Sequence, residues 1–145
     1  MKLPRTISFF AVVSLCVIIC KCSKQSEADD QKHCYDTIPN KVAGLKVEGE
    51  RTKRNIIKNM VPYVCRIKEI YAEAQKGNPD LKGMIELRFV VEFQGEVTTI
   101  EIQRKTIEDE QFISEFMKVI RSLEFDYFGS HNSETEVVYP IKLGK

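Results

Sequence analysis

The chain has 145 residues, of which 43% are hydrophobic and 30% are charged, and this balance is typical of one soluble globular domain. Its 22 basic and 21 acidic residues nearly cancel, which leaves a formal net charge of +1. A near-neutral surface of this kind gives no field that would attract nucleic acid, so we expect no nucleic-acid partner.

Residues 1–28 have the layout of an export signal. Lys2 and Arg5 precede an apolar run from Ile7 to about Cys20. At about 14 residues this run is shorter than the roughly 20 that a bilayer span needs, so a signal peptide is favoured over a permanent transmembrane helix. The sequence therefore predicts export to the cell envelope of a bacterium, with the folded part in the periplasm.

Two routes of signal processing remain open. Cys20 and Cys22 lie where a lipoprotein signal carries its lipidated cysteine, although neither follows the small residue normally expected there. Alternatively, Ser26 and Ala28 supply the small residues of an A-x-A-like site, with cleavage after Ala28. The first route predicts a lipid-anchored protein and the second a free periplasmic one.

Cleavage after Ala28 would leave two cysteines, Cys34 and Cys65. In an oxidising compartment these two could form one disulfide that pins the N-terminal segment to the first helix. A metal site at His33 and Cys34 is disfavoured, because His131 is the only other histidine and no C-x-x-C or H-x-x-H spacing occurs. We therefore expect neither a metal nor a cofactor.

The remaining chain divides into a tether and a folded domain. Residues 29–49 are polar and unperiodic, with turn-forming residues in DTIPNK, and are predicted to be a polar tether or strap. This segment is too short and too poor in proline to be a long spacer across a periplasm. The folded domain is expected to occupy residues 50–145.

A first helix is predicted over residues 51–76. Its apolar positions recur at intervals of three and four residues: Ile56, Met60, Val64, Ile67, Ile70, Tyr71 and Ala74. Because a proline costs about 3 kcal/mol inside a helix, Pro62 predicts a kink or a fresh start. Gly77 is expected to end the helix, and Asn78-Pro79-Asp80 to form the following turn.

A β-hairpin is predicted next. The apolar residues alternate with mostly polar ones: Ile85, Leu87, Phe89, Val91 and Phe93. Gln94 and Gly95 supply the tight turn, after which the return strand contains Val97, Ile100 and Ile102. The shift from odd to even positions predicts a bulge near Thr98 and Thr99.

Residues 107–125 return to helical periodicity, with one apolar stripe made by Phe112, Phe116, Ile120 and Leu123. Glu108, Asp109 and Glu110 fall in the first turn, where the helix dipole stabilises acidic side chains. A capping role of this kind is preferred to a pair of catalytic carboxylates. The run TEVVYPIKL then predicts a last strand. Pro140 places that strand at an edge, because proline cannot donate to a ladder.

These elements predict an α+β fold in the order α-β-β-α-β. It is a two-layer sandwich in which a three-stranded antiparallel sheet carries both helices on one face. A right-handed crossover through the second helix would place the last strand beside the first strand of the hairpin, where it forms an edge.

The run IKEIYAEAQKGNPDLKGMIELRFVVEFQGEVTTIEI, followed by FMKVIRSLEF and VVYPIKL, resembles the TonB carboxy-terminal domain, and most closely its variant in AgmX/PglI-type proteins. The resemblance covers about residues 50–143. Its most specific parts are Tyr71, the stretch 78–83, Gly95, Phe125 and Tyr139-Pro140.

The chain departs from that family in two respects. Members of the variant commonly carry a pair of cysteines, and here those places fall on Ile70 and about Glu115. A TonB-type energy transducer is also expected to have a full transmembrane helix with a functional histidine, followed by a proline-rich spacer. Because the run from Ile7 to Cys20 has no histidine and no such spacer follows, we do not expect energy transduction.

The resemblance implies a non-catalytic module that grips an extended peptide by adding it to an exposed strand. The residues indicate the same, because an edge strand offers free N–H and C=O groups to a partner. The expected partner-binding strand consists of Glu136, Val137, Val138, Tyr139, Pro140, Ile141, Lys142 and Leu143. The partner would be an envelope or outer-membrane protein that contributes an extended segment.

Other interpretations of the same residues are open. The inward residues of the last strand could serve the core alone, with Pro140 and Lys142 blocking aggregation. The protein could also be a structural subunit of an envelope trafficking, motility or transport complex, and the edge could then hold a second copy. An enzyme is disfavoured, because the sequence has no G-x-S-x-G, H-E-x-x-H or phosphate-binding glycine loop.

Overall fold

The computed structural model describes Cys34 and residues 40–144. The helices and strands of this part are, in chain order, β1 (Lys46–Gly49), α1 (Lys53–Gly77), β2 (Gly83–Glu92), β3 (Val97–Lys105), α2 (Glu110–Arg121) and β4 (Glu134–Leu143). The predicted export signal and its candidate lipidation sites, Cys20 and Cys22, lie outside the described residues. Among those that are described, no helix combines the length and the apolar character of a membrane span.

The described strands form one antiparallel sheet in the order β1-β4-β2-β3, and the predicted α+β class is confirmed. The prediction of three strands is wrong. The additional strand, β1, comes from the segment predicted to be a tether, where Lys46 lies opposite Val138 and Gly49 lies opposite Thr135. Four residues with a single apolar side chain are too few for a recognisable period of two, so the pairing with β4 defines this strand.

The position of β4 is partly as predicted. It pairs with β2 along its whole length, so the last strand does lie beside the first strand of the hairpin. The prediction that β4 is an edge strand is wrong, because β1 pairs with Thr135–Val138 on the outer side. Pro140 lies beyond the last pair of that ladder, so the N–H that proline lacks is not needed for a hydrogen bond with β1.

The core lies between the sheet and the two helices. Alternate residues of β2 and β4 are buried and share a cluster with the buried stripes of both helices. The helical members of that cluster include Ile56, Met60, Ile67 and Tyr71 of α1 and Phe112, Phe116 and Ile120 of α2. The other residues of β2 are only half-buried, which makes a two-layer fold with helices on one face.

Both helices begin at a side-chain cap. The hydroxyl of Thr52 accepts from the N–H of Asn55, and the carboxylate of Asp109 accepts from the N–H of Phe112 at 2.8 Å. The acidic run before α2 therefore contains its N-cap. The predicted fresh start at Pro62 is wrong, because α1 continues through this exposed residue; solvent there can hydrate the carbonyl that loses its partner.

The hairpin is confirmed with its bulge. Val90 lies opposite Thr99 and Val91 opposite Val97, so Thr98 is the extra residue. A second irregularity, which the sequence did not indicate, leaves Gln103 as an extra residue farther along β3. Both bulges lie on the outermost strand of the hairpin, where such features are common.

Gly95 holds the hairpin turn against the segment that follows α2. Its carbonyl accepts from the N–H of Phe125 at 3.0 Å, and its φ is +101°. A Cβ at this position would lie 1.8 Å from the carbonyl oxygen of Phe125. The contact is between two backbones, so no side-chain rotation can relieve it.

Gly95→Ala should therefore lower the free energy of unfolding by at least about 2 kcal/mol, through backbone strain and the displaced loop. Chemical denaturation measures this loss. The matched control is Gly77→Ala at the end of α1, where an added Cβ meets nothing within 4 Å. Equal denaturation midpoints for the two variants would contradict the expectation.

A disulfide joins Cys34 to Cys65 of α1, with the two Cα atoms 5.8 Å apart. Cys65 is buried, at 3% exposure, on a helix that otherwise packs on the sheet. The bond thereby fixes one point of the chain before β1 to the helical layer.

The sequence separation of the two cysteines is 31 residues, and closing a loop of that size stabilises a fold by about 3.7 kcal/mol in the chain-entropy model. We expect the double variant Cys34→Ser, Cys65→Ser to lose about that amount of unfolding free energy. Denaturation of the wild-type protein with and without a dithiol reductant is the control. The expectation fails if the variant and the oxidised wild type unfold at the same denaturant concentration.

Candidate peptide-binding edge

The predicted partner-binding strand is divided into a part that pairs with β1 and a part that does not. Glu136, Val137 and Val138 are paired with β1 on the outer side. Tyr139–Leu143 have no strand on that side within the described part of the chain, and we call these five residues the β4 ledge. The candidate site is therefore shorter than the sequence predicted.

Pro140 indicates which backbone groups of the β4 ledge point outward. Successive residues of a strand direct their N–H and C=O groups to opposite sides, and a proline is tolerated where its N–H would point away from the ladder. The ladder with β2 continues through Pro140, which faces Glu86. By this alternation the carbonyl of Pro140 and both backbone groups of Lys142 face outward, where a further strand could pair with them.

The inward side chains of the β4 ledge are fixed by the core. Tyr139, Ile141 and Leu143 are each at most 5% exposed. Burial raises the pKa of the Tyr139 phenol to about 12, so the ring stays neutral at physiological pH. Pro140 and Lys142 lie on the opposite face, half-buried and exposed respectively, and they are the side chains that an added strand would meet there.

Arg88 ties the middle of the sheet together on that outward face. Its Nε donates to Oε1 of Glu136 at 2.6 Å, and its Nη1 donates to Oε1 of Glu101 at 2.9 Å. One guanidinium therefore links β4, β2 and β3. The hydrogen bond from Arg88 lowers the pKa of the Glu136 carboxyl below its ordinary value of 4.5, and so keeps this carboxylate ionised beside the ledge.

This shift predicts part of the acid sensitivity of the domain. Because the folded-state pKa of Glu136 is depressed, its contribution to stability is complete above about pH 4.5 and is lost as the pH falls through the lower folded-state pKa. In this pH range the melting temperature of Glu136→Gln should fall less on acidification than that of the wild type. Thermal melts between about pH 3 and 7 test this. Parallel curves for the variant and the wild type would speak against it.

The opposite edge of the sheet is formed by β3, which is longer than the β4 ledge but less suitable for pairing with a partner strand. No described strand pairs with the outer side of β3, which is largely exposed. Its two bulges interrupt regular pairing, and Arg104 and Lys105 place charges at one end. Bulges and charged side chains are the features by which natural proteins protect sheet edges, so the β4 ledge is the better template for an added strand.

Several of the residues weighed for metal binding or catalysis lie in the described part of the chain. His131 is exposed and packs edge-on against the ring of Phe93, with centroids 4.9 Å apart. Asp109 caps α2, and His33 lies outside the described residues. Across Cys34 and residues 40–144, no group of three or more His, Cys, Asp or Glu side chains is placed to hold a metal ion.

The contribution of residues 45–49 to this edge was missed by the sequence analysis. Leu45 is 3% exposed and belongs to the core, and Val47 packs against it. Leu45 and Val47 alternate with Lys46 and Glu48 between Gly44 and Gly49. Two apolar residues after a polar, unperiodic stretch are too few to indicate a strand.

The chain matches no protein-family model, no curated protein and no solved structure. The fold and the edge thus define an α+β domain with an incompletely covered strand, and the resemblance to the TonB carboxy-terminal domain stays a prediction.

Proposed function

We propose that this protein is a non-catalytic binding module of the bacterial cell envelope. It captures an extended segment of an envelope or outer-membrane protein by adding that segment to β4. The observation that carries the proposal is the unequal pairing of β4, which is complete toward β2 but stops at Val138 toward the outside among the described strands. The export signal that the sequence predicts and the resemblance to a peptide-binding family support the same function.

Main-chain pairing supplies the affinity in this mode of binding, and side chains supply the selectivity. The carbonyl of Pro140 and the N–H and C=O groups of Lys142 are the pairing groups that the alternation assigns to the outer side. Because the inward residues of the β4 ledge are buried in a closed core, the ledge keeps its extended shape without a partner. A preformed template of this kind lowers the entropy that a partner loses on binding.

Lys142→Pro tests the proposal, because it removes the outward N–H and puts a ring where an added strand would lie. Lys142→Ala is the matched control, which removes the charge but retains the N–H. We would select extended nonapeptides from a random library on the wild-type protein and measure their affinity for both variants. We expect Lys142→Pro to weaken binding by about tenfold or more and Lys142→Ala by clearly less.

Melting temperatures of both variants would establish that each remains folded. Amide chemical shifts should move at Tyr139–Leu143 when a selected peptide is added. Equal affinities for the two variants, or shifts confined to another surface, would remove the basis for assigning strand addition to β4.

A further inference from the structure

β1 occupies the part of β4 that would otherwise extend the binding edge. By the same alternation that turns Lys142 outward, Glu136 and Val138 direct their N–H and C=O groups toward β1. A partner limited to the β4 ledge meets only the groups of Pro140 and Lys142. Removal of β1 would add both backbone groups of Glu136 and of Val138, and so more than double the available pairing.

β1 itself is weakly held. It has four residues, and all except the half-buried Val47 are exposed. Glu48 lies directly opposite Glu136, and like charges in facing positions destabilise a pair of strands, an effect that the bond from Arg88 to Glu136 reduces. The anchor of the segment is Leu45, which precedes the strand.

Glycines in the left-handed region lie at the two ends of the segment. Gly44 has a φ of +82° and Gly49 a φ of +135°. A Cβ at Gly49 would lie 2.5 Å from the carbonyl oxygen of Glu134 and 2.8 Å from the Cα of Thr135. The docked position of β1 therefore depends on the absence of a side chain at residue 49.

The chain on the C-terminal side of β1 is held much more firmly. The N–H of Arg51 donates to Oγ1 of Thr135, and its Nη2 donates to the carbonyl of Glu92 at 3.0 Å. Its guanidinium lies over the rings of Phe125 and Phe128, at 5.5 and 5.7 Å from their centroids. On the N-terminal side, the disulfide of Cys34 fixes the chain to α1.

From this contrast we infer that β1 is an internal occupant of the partner-binding edge, and that a partner strand binds by displacing it. The inference rests on the proposed function. β1 is tied on both sides and loosely paired between them, so it can leave β4 while Arg51 and the disulfide keep their places. The apparent affinity for a partner is then the intrinsic affinity multiplied by the fraction of molecules in which β1 has left the edge.

The displaced strand also indicates the chemistry of its replacement. Leu45 and Val47 point toward the core, so a partner antiparallel to β4 needs apolar residues at those alternate positions. On the outward face, a basic residue in the place of Glu48 would meet Glu136. If the partner keeps the register of β1, the position four residues before the one that replaces Lys46 lies opposite Lys142. An acidic residue is favoured at that position of the partner.

The synthetic peptide VEVTLKVKG has these properties and is the probe. It copies residues 45–49 except for a lysine in the place of Glu48, and its first four residues extend along the β4 ledge with a glutamate opposite Lys142. The control peptide VKVTLKVEG has the same composition with the two charges exchanged. We expect the control to bind the wild-type protein about tenfold more weakly, because both facing pairs become repulsive.

Two substitutions in β1 should shift probe affinity in opposite directions. Glu48→Lys replaces a repulsive pair with an attractive one, strengthens the docking of β1, and should weaken probe binding by about threefold to fivefold. Gly49→Ala removes β1 from β4 through the clash of its Cβ and should tighten probe binding by about as much or more. Glu96→Lys, a charge reversal at an exposed position of the hairpin turn, is the control and should leave the affinity unchanged.

The result expected from displacement is this opposite pair of shifts, together with altered amide resonances at Lys46–Gly49 when the probe binds the wild-type protein. If the probe moves the resonances of Tyr139–Leu143 but the affinity is the same in all β1 variants, displacement is refuted and the proposed function stands. If the probe binds neither the wild type nor Gly49→Ala, the proposed function is refuted together with displacement.

Discussion

The ladder between β2 and β4 fixes the position of every other part of the sheet. It extends from Gly83 opposite Leu143 to Glu92 opposite Glu134, so the last strand of the chain lies inside the sheet. The alternating apolar residues of these two strands share the face on which both helices pack. Because β3 takes the free side of β2, the outer side of β4 is left to the chain that precedes α1, and β1 covers only its first residues.

A partly covered strand must avoid unwanted pairing while it remains open to a partner. Pro140 offers no N–H, and the exposed Lys142 would oppose itself if two copies paired around it. In the proposed function the same two residues restrict the partner. The partner finds no N–H donor at Pro140, and its binding is strengthened by an acidic residue opposite Lys142. Protection against aggregation and selection of a partner would then have one physical origin.

The sequence predicted those elements whose apolar periodicity extends over many residues. Both helices, the hairpin with its bulge at Thr98, and the pairing of β4 with β2 followed from periods of 3.6 and two and from the handedness of the crossover. The apolar stripe of α2 did not predict that the helix begins at Glu110. Ile107 lies before the helix, but it is buried in the core like the residues of the stripe. β1 was not predicted, because its pairing with β4 is a tertiary contact that a pattern of four residues does not indicate. As a result, the predicted edge was too long.

The energetics of strand exchange follow from that same tertiary contact. A partner that replaced β1 would exchange hydrogen bonds at Glu136 and Val138 for equivalent ones, so these add little to the net free energy of binding. The gain would come from the groups of Pro140 and Lys142, which β1 leaves unpaired, and from relief of the facing Glu48 and Glu136. Since the first contribution depends on a few hydrogen bonds and the second on charges near the surface, such binding would be selective for sequence but modest in strength. In the proposed function this combination would let the partner be released, and a strand that covered all of β4 at the position of β1 would leave no backbone groups for a partner to gain.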